Sequence, residues 1–187
     1  MLLGGIALDQ IAEDNLRREI CYFPQDYRLV SGTLRDNLTM GLPTLSDDHL
    51  LEAASRTGLD DLIRTHPKGL DLPVFEGGGG LSGGQRTMVG LARVFLLKPR
   101  FLLLDEPTSN LDQENEARVL AFLSKLSDPS TSIVIVTHKL QFLGAMSRLL
   151  VMQGGRIVLD GDTASVLDKL RRGEKAASAV QQSRTGS

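Results

Sequence analysis

Leu81-Ser82-Gly83-Gly84-Gln85 and, one helix-length later, Phe101-Leu102-Leu103-Leu104-Asp105-Glu106-Pro107 are the two stretches on which the fold of this chain turns. The second is a short apolar run closed by two carboxylates, the pattern of a strand whose end meets solvent. Between them Met88, Leu91, Ala92 and Phe95 recur at helical spacing. Lys98-Pro99 closes that helix, because a residue before proline leaves the right-handed helical region. Beyond them, Ser132 to Thr137 reads as another buried strand, and Asp112 can cap an intervening helix that carries Val119, Leu120, Phe122 and Leu123. Strand, helix, strand implies parallel pairing with a right-handed crossover. The chain is therefore expected to be α/β with a parallel sheet.

Outward from this centre, Met1 to Leu8 is apolar and broken by glycine, like part of a β-hairpin. A short polar turn or helix at Asn15 to Glu19 precedes the strand Ile20-Cys21-Tyr22-Phe23, which Pro24 stops, so that Gln25 sits at a strand's end. Thr33 leads into a short helix that ends near Gly41. Ser46 starts a longer one carrying Leu50, Leu51 and Ala54 that Gly58 stops, and Leu59 to Thr65 forms another. A helical subdomain over about 34–97 is thus inserted into the sheet. Leu149 to Met152 and Arg156 to Leu159 flank Gly154-Gly155 as a hairpin, Thr163 to Arg171 is a closing helix, and 173–187 read as a disordered tail. One domain over 1–172 is the expectation.

Composition narrows the function. With 41% hydrophobic and 24% charged residues the chain is an ordinary globular protein, and 21 basic against 23 acidic residues give a formal charge of −2. No basic field is there to hold nucleic acid. The single cysteine, Cys21, lies in an apolar run and reads as a buried thiol of a reducing compartment. Neither a leader peptide nor a membrane-length apolar window is legible, so a cytosolic chain is expected.

The chemistry is carried at strand and helix ends. Asp105 ends its strand where the carboxyl edge of a parallel sheet opens a crevice, and an aspartate there can hold Mg²⁺ through water. Glu106, its neighbour, can orient or deprotonate an attacking water. A strand merely ending in a solvated acidic turn is the plainer alternative for these two residues alone. Ser82, Gly83 and Gly84 open a helix with its free N–H groups and positive dipole end uncovered, an anion-binding terminus. Gly77 to Gly80 give that terminus a flexible approach. His138 follows the second strand and can donate to a phosphate oxygen, whereas His49 and His66 have no metal-ligand spacing.

In this order the motifs resemble those of the ATP-binding domain of ATP-binding cassette (ABC) transporters, from about Gly4 to Arg171. Phe23-Pro24-Gln25-Asp26 is similar to the Q-loop, Leu81 to Gln85 to the signature motif and Phe101 to Glu106 to the Walker B strand with its catalytic glutamate. Ser109-Asn110-Leu111-Asp112 resembles the D-loop and Thr137-His138 the switch histidine. The segments 31–37 and 76–81 look most like exporters, notably type I protein-secretion and peptide exporters. The resemblance implies a P-loop NTPase-like core that binds ATP and Mg²⁺, with Glu106 and His138 catalytic and Asp105 and Gln25 serving the metal. Gln25, Ser82, Gly83, Gly84, Gln85 and Asp112 would contact nucleotide. A transmembrane domain and a second nucleotide-binding domain are the implied partners, at the cytoplasmic side of the plasma membrane. DNA-repair ATPases of the same superfamily are a poorer match, since no heptads separate Gln25 from Ser82.

One departure from the family pattern is large. No phosphate-cradling G-x-x-x-x-G-K-[ST] loop occurs in these 187 residues, so the sheet core is expected to be incomplete at the N-terminus. The expectation is the C-terminal part of an exporter ATPase, from a gene fragment or truncated gene model. The alternative is a non-enzymatic half-module that binds a partner's phosphate loop as scaffold or regulator. Either way the isolated chain should be poorly stable and inactive. Its purification as a monomer that hydrolyses ATP is the result that refutes this.

Overall fold

Two short strands, β1 (Leu2–Leu3) and β2 (Ile6–Ala7), open the chain as a hairpin around Gly5, whose φ of 84° needs a residue without a Cβ. The computed structural model describes residues 2, 3, 5–109, 111–126 and 131–172. Met1, Gly4, Asn110 and the tail from Gly173 lie outside the described residues. The chain divides between His138 and Lys139 into two compact units.

In the first unit, α1 (Glu13–Glu19) carries Glu13 and Asp14 in its first turn and Arg17 and Arg18 in its last, in the sense its dipole favours. β3 (Ile20–Phe23) ends at Pro24. β4 (Gly32–Thr33) runs into α2 (Leu34–Thr39), which opens with a reciprocal capping box between Thr33 and Asp36. α3 (Asp47–Thr57) stops at Gly58 in the left-handed conformation, and α4 (Asp60–Thr65) follows. β5 (Pro73–Val74) returns to pair with β4, and α5 (Gly83–Leu97) leads to β6 (Phe101–Asp105), α6 (Gln113–Lys125) and β7 (Ser132–Val136). α5 packs against α2 and α3, burying Leu34, Leu38, Leu50, Ala53, Ala54 and Leu91. Each leucine so buried contributes about 1.5–3 kcal/mol.

β6 is the middle strand, hydrogen-bonded in parallel to β3 on one side and β7 on the other. Phe23, Leu102 and Leu104 are buried on one face, with Gly90 of α5 directly against Phe23. The other face carries Tyr22 (59% exposed), Leu103 (37%), Val134 (49%) and Val136 (58%). The expectation that β7 is buried is therefore corrected: Val134 and Val136 share the open face of the sheet with Leu103 of the middle strand, and β7 is one of its two edges among the described residues. Lys98 also differs. It leaves the right-handed region as a pre-proline residue should, but into the left-handed one (φ 48°, ψ 56°), as the C-cap of α5 whose N–H still donates to Val94 O.

The second unit contains β8 (Arg148–Gln153) and β9 (Arg156–Asp162), paired around Gly154-Gly155 with Arg148 held by both oxygens of Asp160 at 2.7 Å. A helix over 163–172 follows, with Ser165 N donating to Asp162 at 2.9 Å. Among the described residues no helix is long and apolar enough to cross a membrane.

Asn37 is 1% exposed and fixes the loop that follows β3: it accepts from Val30 N and donates to Val30 O and Thr33 O at 2.9–3.0 Å. Replacing it by alanine strands those buried groups and should cost about 2–3 kcal/mol. A urea titration that moves by less than about 0.5 kcal/mol would refute this role.

Candidate functional site

The sheet delivers several side chains to one edge. Phe23 and Leu104 are register partners, as are Asp105 and Val136, so Gln25, Glu106 and His138 all follow strand ends at the carboxyl side. Glu106 has φ 44°, a left-handed conformation that costs a residue with a Cβ about 1–2 kcal/mol. Its backbone is tied on both sides: its N–H donates to Val136 O at 2.8 Å, and its carbonyl accepts from Ser109 N at 3.1 Å.

The left-handed turn swings the Glu106 carboxylate toward β7. Oε1 accepts from His138 N at 3.1 Å and lies 2.7 Å from His138 Nδ1, while Oε2 accepts from Thr137 Oγ1 at 3.3 Å. The glutamate side chain is 16% exposed and the histidine 74%. With Nδ1 donating to the carboxylate, Nε2 is the ring nitrogen left for another group. Asp105 accepts from Tyr22 Oη at 3.3 Å on the exposed sheet face. Loss of solvent and the Asp105 charge both push the Tyr22 phenol above its usual range, so it remains a donor. Gln25 is exposed and has no hydrogen-bond partner among the described residues.

The second cluster is the start of α5. Ser82 Oγ accepts from Gln85 N at 3.1 Å, and Gln85 Oε1 accepts from Ser82 N at 2.8 Å. Gln85 thus caps its own helix, which corrects the picture of a terminus with no side chain engaged. The N–H groups of Gly83 and Gly84, in the first turn, remain for an outside acceptor. A Cβ on Gly84 would stand 3.2 Å from Asn115 Nδ2 and 3.6 Å from Leu111, so glycine lets α5 approach the start of α6. There Asp112 accepts from Asn115 N at 2.8 Å and Asn115 Nδ2 at 3.1 Å. Among the described residues no hydrogen bond joins 82–85 to Gln25, Asp105, Glu106 or His138.

Gly77–Gly80 do not form the flexible approach expected of them. Gly77, Gly78 and Gly80 have positive φ, Gly77 N donates to Leu29 O at 3.1 Å, and the stem of Arg86 covers Gly78 so closely that a Cβ would meet its Cδ at 2.2 Å. Four glycines serve a packed turn. His49 and His66 bond locally, to Ser46 Oγ and Lys68 N. Burial pushes the Cys21 thiol up, consistent with an inert side chain.

No group of three or more His, Cys, Asp or Glu able to hold a metal occurs among the described residues. A single accessible carboxylate suits Mg²⁺, which keeps most of its waters and binds through one or two carboxylates and substrate phosphates. Asp105 fits that donor set. Reading the sequence missed Tyr22 and Thr137 as contacts of the two carboxylates and Asn37 as the anchor of the Gln25 loop. The plainer alternative of an N-cap at this glycine-rich start was open, but the reciprocal cap by Gln85 was missed, although S-x-x-Q before an apolar series is a recognisable signal.

A parallel sheet flanked by helices, with acidic side chains at its carboxyl edge, is an α/β architecture of P-loop NTPase type. A family model described as ABC transporter matches residues 1–109, and the chain belongs to that family. It is 35% identical over 170 residues to the glutathione/L-cysteine transport system ATP-binding/permease protein of Haemophilus influenzae. It is also 36% identical over 169 residues to a putative multidrug export ATP-binding/permease protein of Staphylococcus aureus. Each alignment covers 90% of this chain and 29% of the relative, so the chain spans under a third of their length. A bacterial Atm1-family ABC exporter solved with ATP bound superposes with a TM-score of 0.81 at 32% identity, over 91% of this chain and 30% of that one.

Ser82 separates two roles experimentally. Ser82→Ala removes the cap of α5 and should cost about 1 kcal/mol, whereas Ser82→Asp, an equally good cap, should cost less than about 0.5 kcal/mol. Equal destabilisation of the two variants in urea would argue against the capping geometry.

Proposed function

We propose that this chain supplies most of the ATP-binding domain of an ABC exporter and that its carboxyl edge is the hydrolytic site. The observation that carries this reading is the Glu106 carboxylate, held in a left-handed turn by Thr137 and His138 beside Asp105. Asp105 would hold Mg²⁺ through water, with Gln25 at the same edge, and the ion would offset phosphate charge. Of the two Glu106 oxygens, Oε2 has the single longer contact and is the one free to take a proton from an attacking water. His138, oriented by Glu106, would turn Nε2 to the terminal phosphate.

The α5 terminus would serve a second site, on a second nucleotide-binding domain. Ser82 Oγ, which accepts from Gln85, retains its own proton to donate, and Gly83 and Gly84 add backbone donors aligned with the helix dipole. Gln85 caps this terminus, and Asp112 caps α6, whose start packs against it at Gly84. One domain over 1–172 would then contain two half-sites. A phosphate loop from a segment outside these residues, docked on the apolar face of Tyr22, Leu103, Val134 and Val136, would complete the first.

The relatives' names couple ATP binding to a permease, and we extend that to this chain as membrane attachment at the cytoplasmic face through a transmembrane domain. The names refer to small thiols and drugs, and type I protein secretion draws no support from them. Substrate choice is left to the permease.

Reading the frame upstream of the Met1 codon tests the proposal first: an in-frame G-x-x-x-x-G-K-[ST] loop and apolar spans of about 20 residues are expected. In the transporter so completed, Glu106→Gln should leave ATP binding intact and lower turnover by about 10²–10⁴-fold. Wild-type turnover in that variant removes the catalytic role. Tight binding to a partner with no effect of Glu106→Gln would favour a scaffold.

A further inference from the structure

Gln25 lies on a turn whose flanks are both pinned to α5. Phe23, at the end of β3, stacks on Tyr27 with ring centroids 5.0 Å apart and planes 3° from parallel. The two rings occupy a slot over Gly90 in the middle of α5. A Cβ there would come within 2.4 Å of Phe23 Cε2 and 2.9 Å of Tyr27 Cε1. This glycine has ordinary helical backbone, so space rather than conformation accounts for it, although a mid-helix glycine weakens a helix relative to alanine.

One turn further along α5, Arg93 donates from Nη1 to Tyr27 Oη at 3.1 Å and from Nη2 to Met40 O at 3.0 Å. It ties the turn to the end of α2. Downstream, Leu29 O and both backbone groups of Val30 are held by Gly77 and Asn37. Between the rings only Pro24, Gln25 and Asp26 remain. Proline fixes one φ, and Asp26 accepts from the Arg28 guanidinium at 2.8 and 3.0 Å.

We propose that the Phe23–Tyr27 stack, seated on Gly90 and held by Arg93, is a latch that positions Gln25 and makes its turn one mechanical body with the helix that presents Ser82. Gly90 follows Ser82 by eight residues, about 12 Å along the helix. A displacement of either half-site therefore moves the other through a single rigid element. Tyr27 and Arg93 are positioning residues, since they touch Gln25's turn and not the phosphates. The inference rests on the role given to Gln25 above.

The chain contains no tryptophan and two tyrosines, so Tyr22→Phe leaves Tyr27 as the sole tyrosine emitter. In the 187-residue chain its emission should be quenched by acrylamide several-fold less than that of free tyrosinamide. Adding Gly90→Ala should expose it, while helix content holds, because alanine is the better helix former. With helix content at the level of the described structure, quenching equal to the free amide before that change, or unaltered by it, overturns the latch. In the completed transporter Gln25→Ala and Tyr27→Ala should each lower turnover about tenfold, and the double variant no further, as expected when one residue acts through another. Additive losses also overturn it. Unchanged turnover in Gln25→Ala instead removes the role of Gln25, and the quenching result then decides the latch alone.

Discussion

The hydrogen bonding of β6 between two parallel neighbours is the constraint from which the site follows. Parallel pairing fixes register, so residues just past three strands emerge at one edge without needing to touch one another. Phe23 opposite Leu104 and Asp105 opposite Val136 are enough to place Gln25, Glu106 and His138 in one row. Side-chain chemistry then adjusts only the last step. The left-handed backbone at Glu106 turns its carboxylate from the strand direction toward Thr137 and His138, which return charge-assisted hydrogen bonds in exchange for the strain.

A second constraint is spatial, and glycine carries it. Arg86 lies over Gly78, the start of α6 closes on Gly84, and two aromatic rings fill the place of a side chain at Gly90. Each approach binds α5 or its lead-in to a different part of the unit: the glycine turn, the α6 cap and the end of β3. The helix gives up propensity at two of these positions, about 1 kcal/mol at an interior site, and gains close packing from it. It thereby becomes the member through which the two clusters are related, though among the described residues no hydrogen bond joins them.

Much of this was legible in the sequence because the motifs sit at element ends, where local rules are strong. Pro24, Gly58, Asp112 and the pairing of Gly154 with Gly155 each marked a boundary that the structure bears out. What was not legible depends on neighbours distant in the chain. Apolar content in β7 reads as burial, but one face of the sheet is open, on the middle strand as on β7, and no local pattern reports whether a face is covered. Gly77–Gly80 has the composition of a linker, yet Leu29 and Arg86 supply its partners. Gln25 reads as a strand-ending residue, and its neighbour Tyr27 draws no reading at all, because a slot at Gly90 sixty-three residues from Tyr27 has no local trace.

Electrostatics explains why each cluster is a half and not a whole. Asp105 and Glu106 place two carboxylates at one edge, and no lysine or arginine pairs with either among the described residues. A triphosphate approaching that edge meets like charge, which a divalent cation and a lysine-bearing loop must outweigh. The start of α5 has the opposite sign but only about half an elementary charge and two unpaired N–H groups, too little to hold a polyphosphate in water alone. On the proposed reading, the helix terminus of a second domain would face the cation-loaded edge and add its attraction there. The polarity of the two clusters, acidic at the sheet and positive at the helix, fits the proposed pairing of half-sites from two domains.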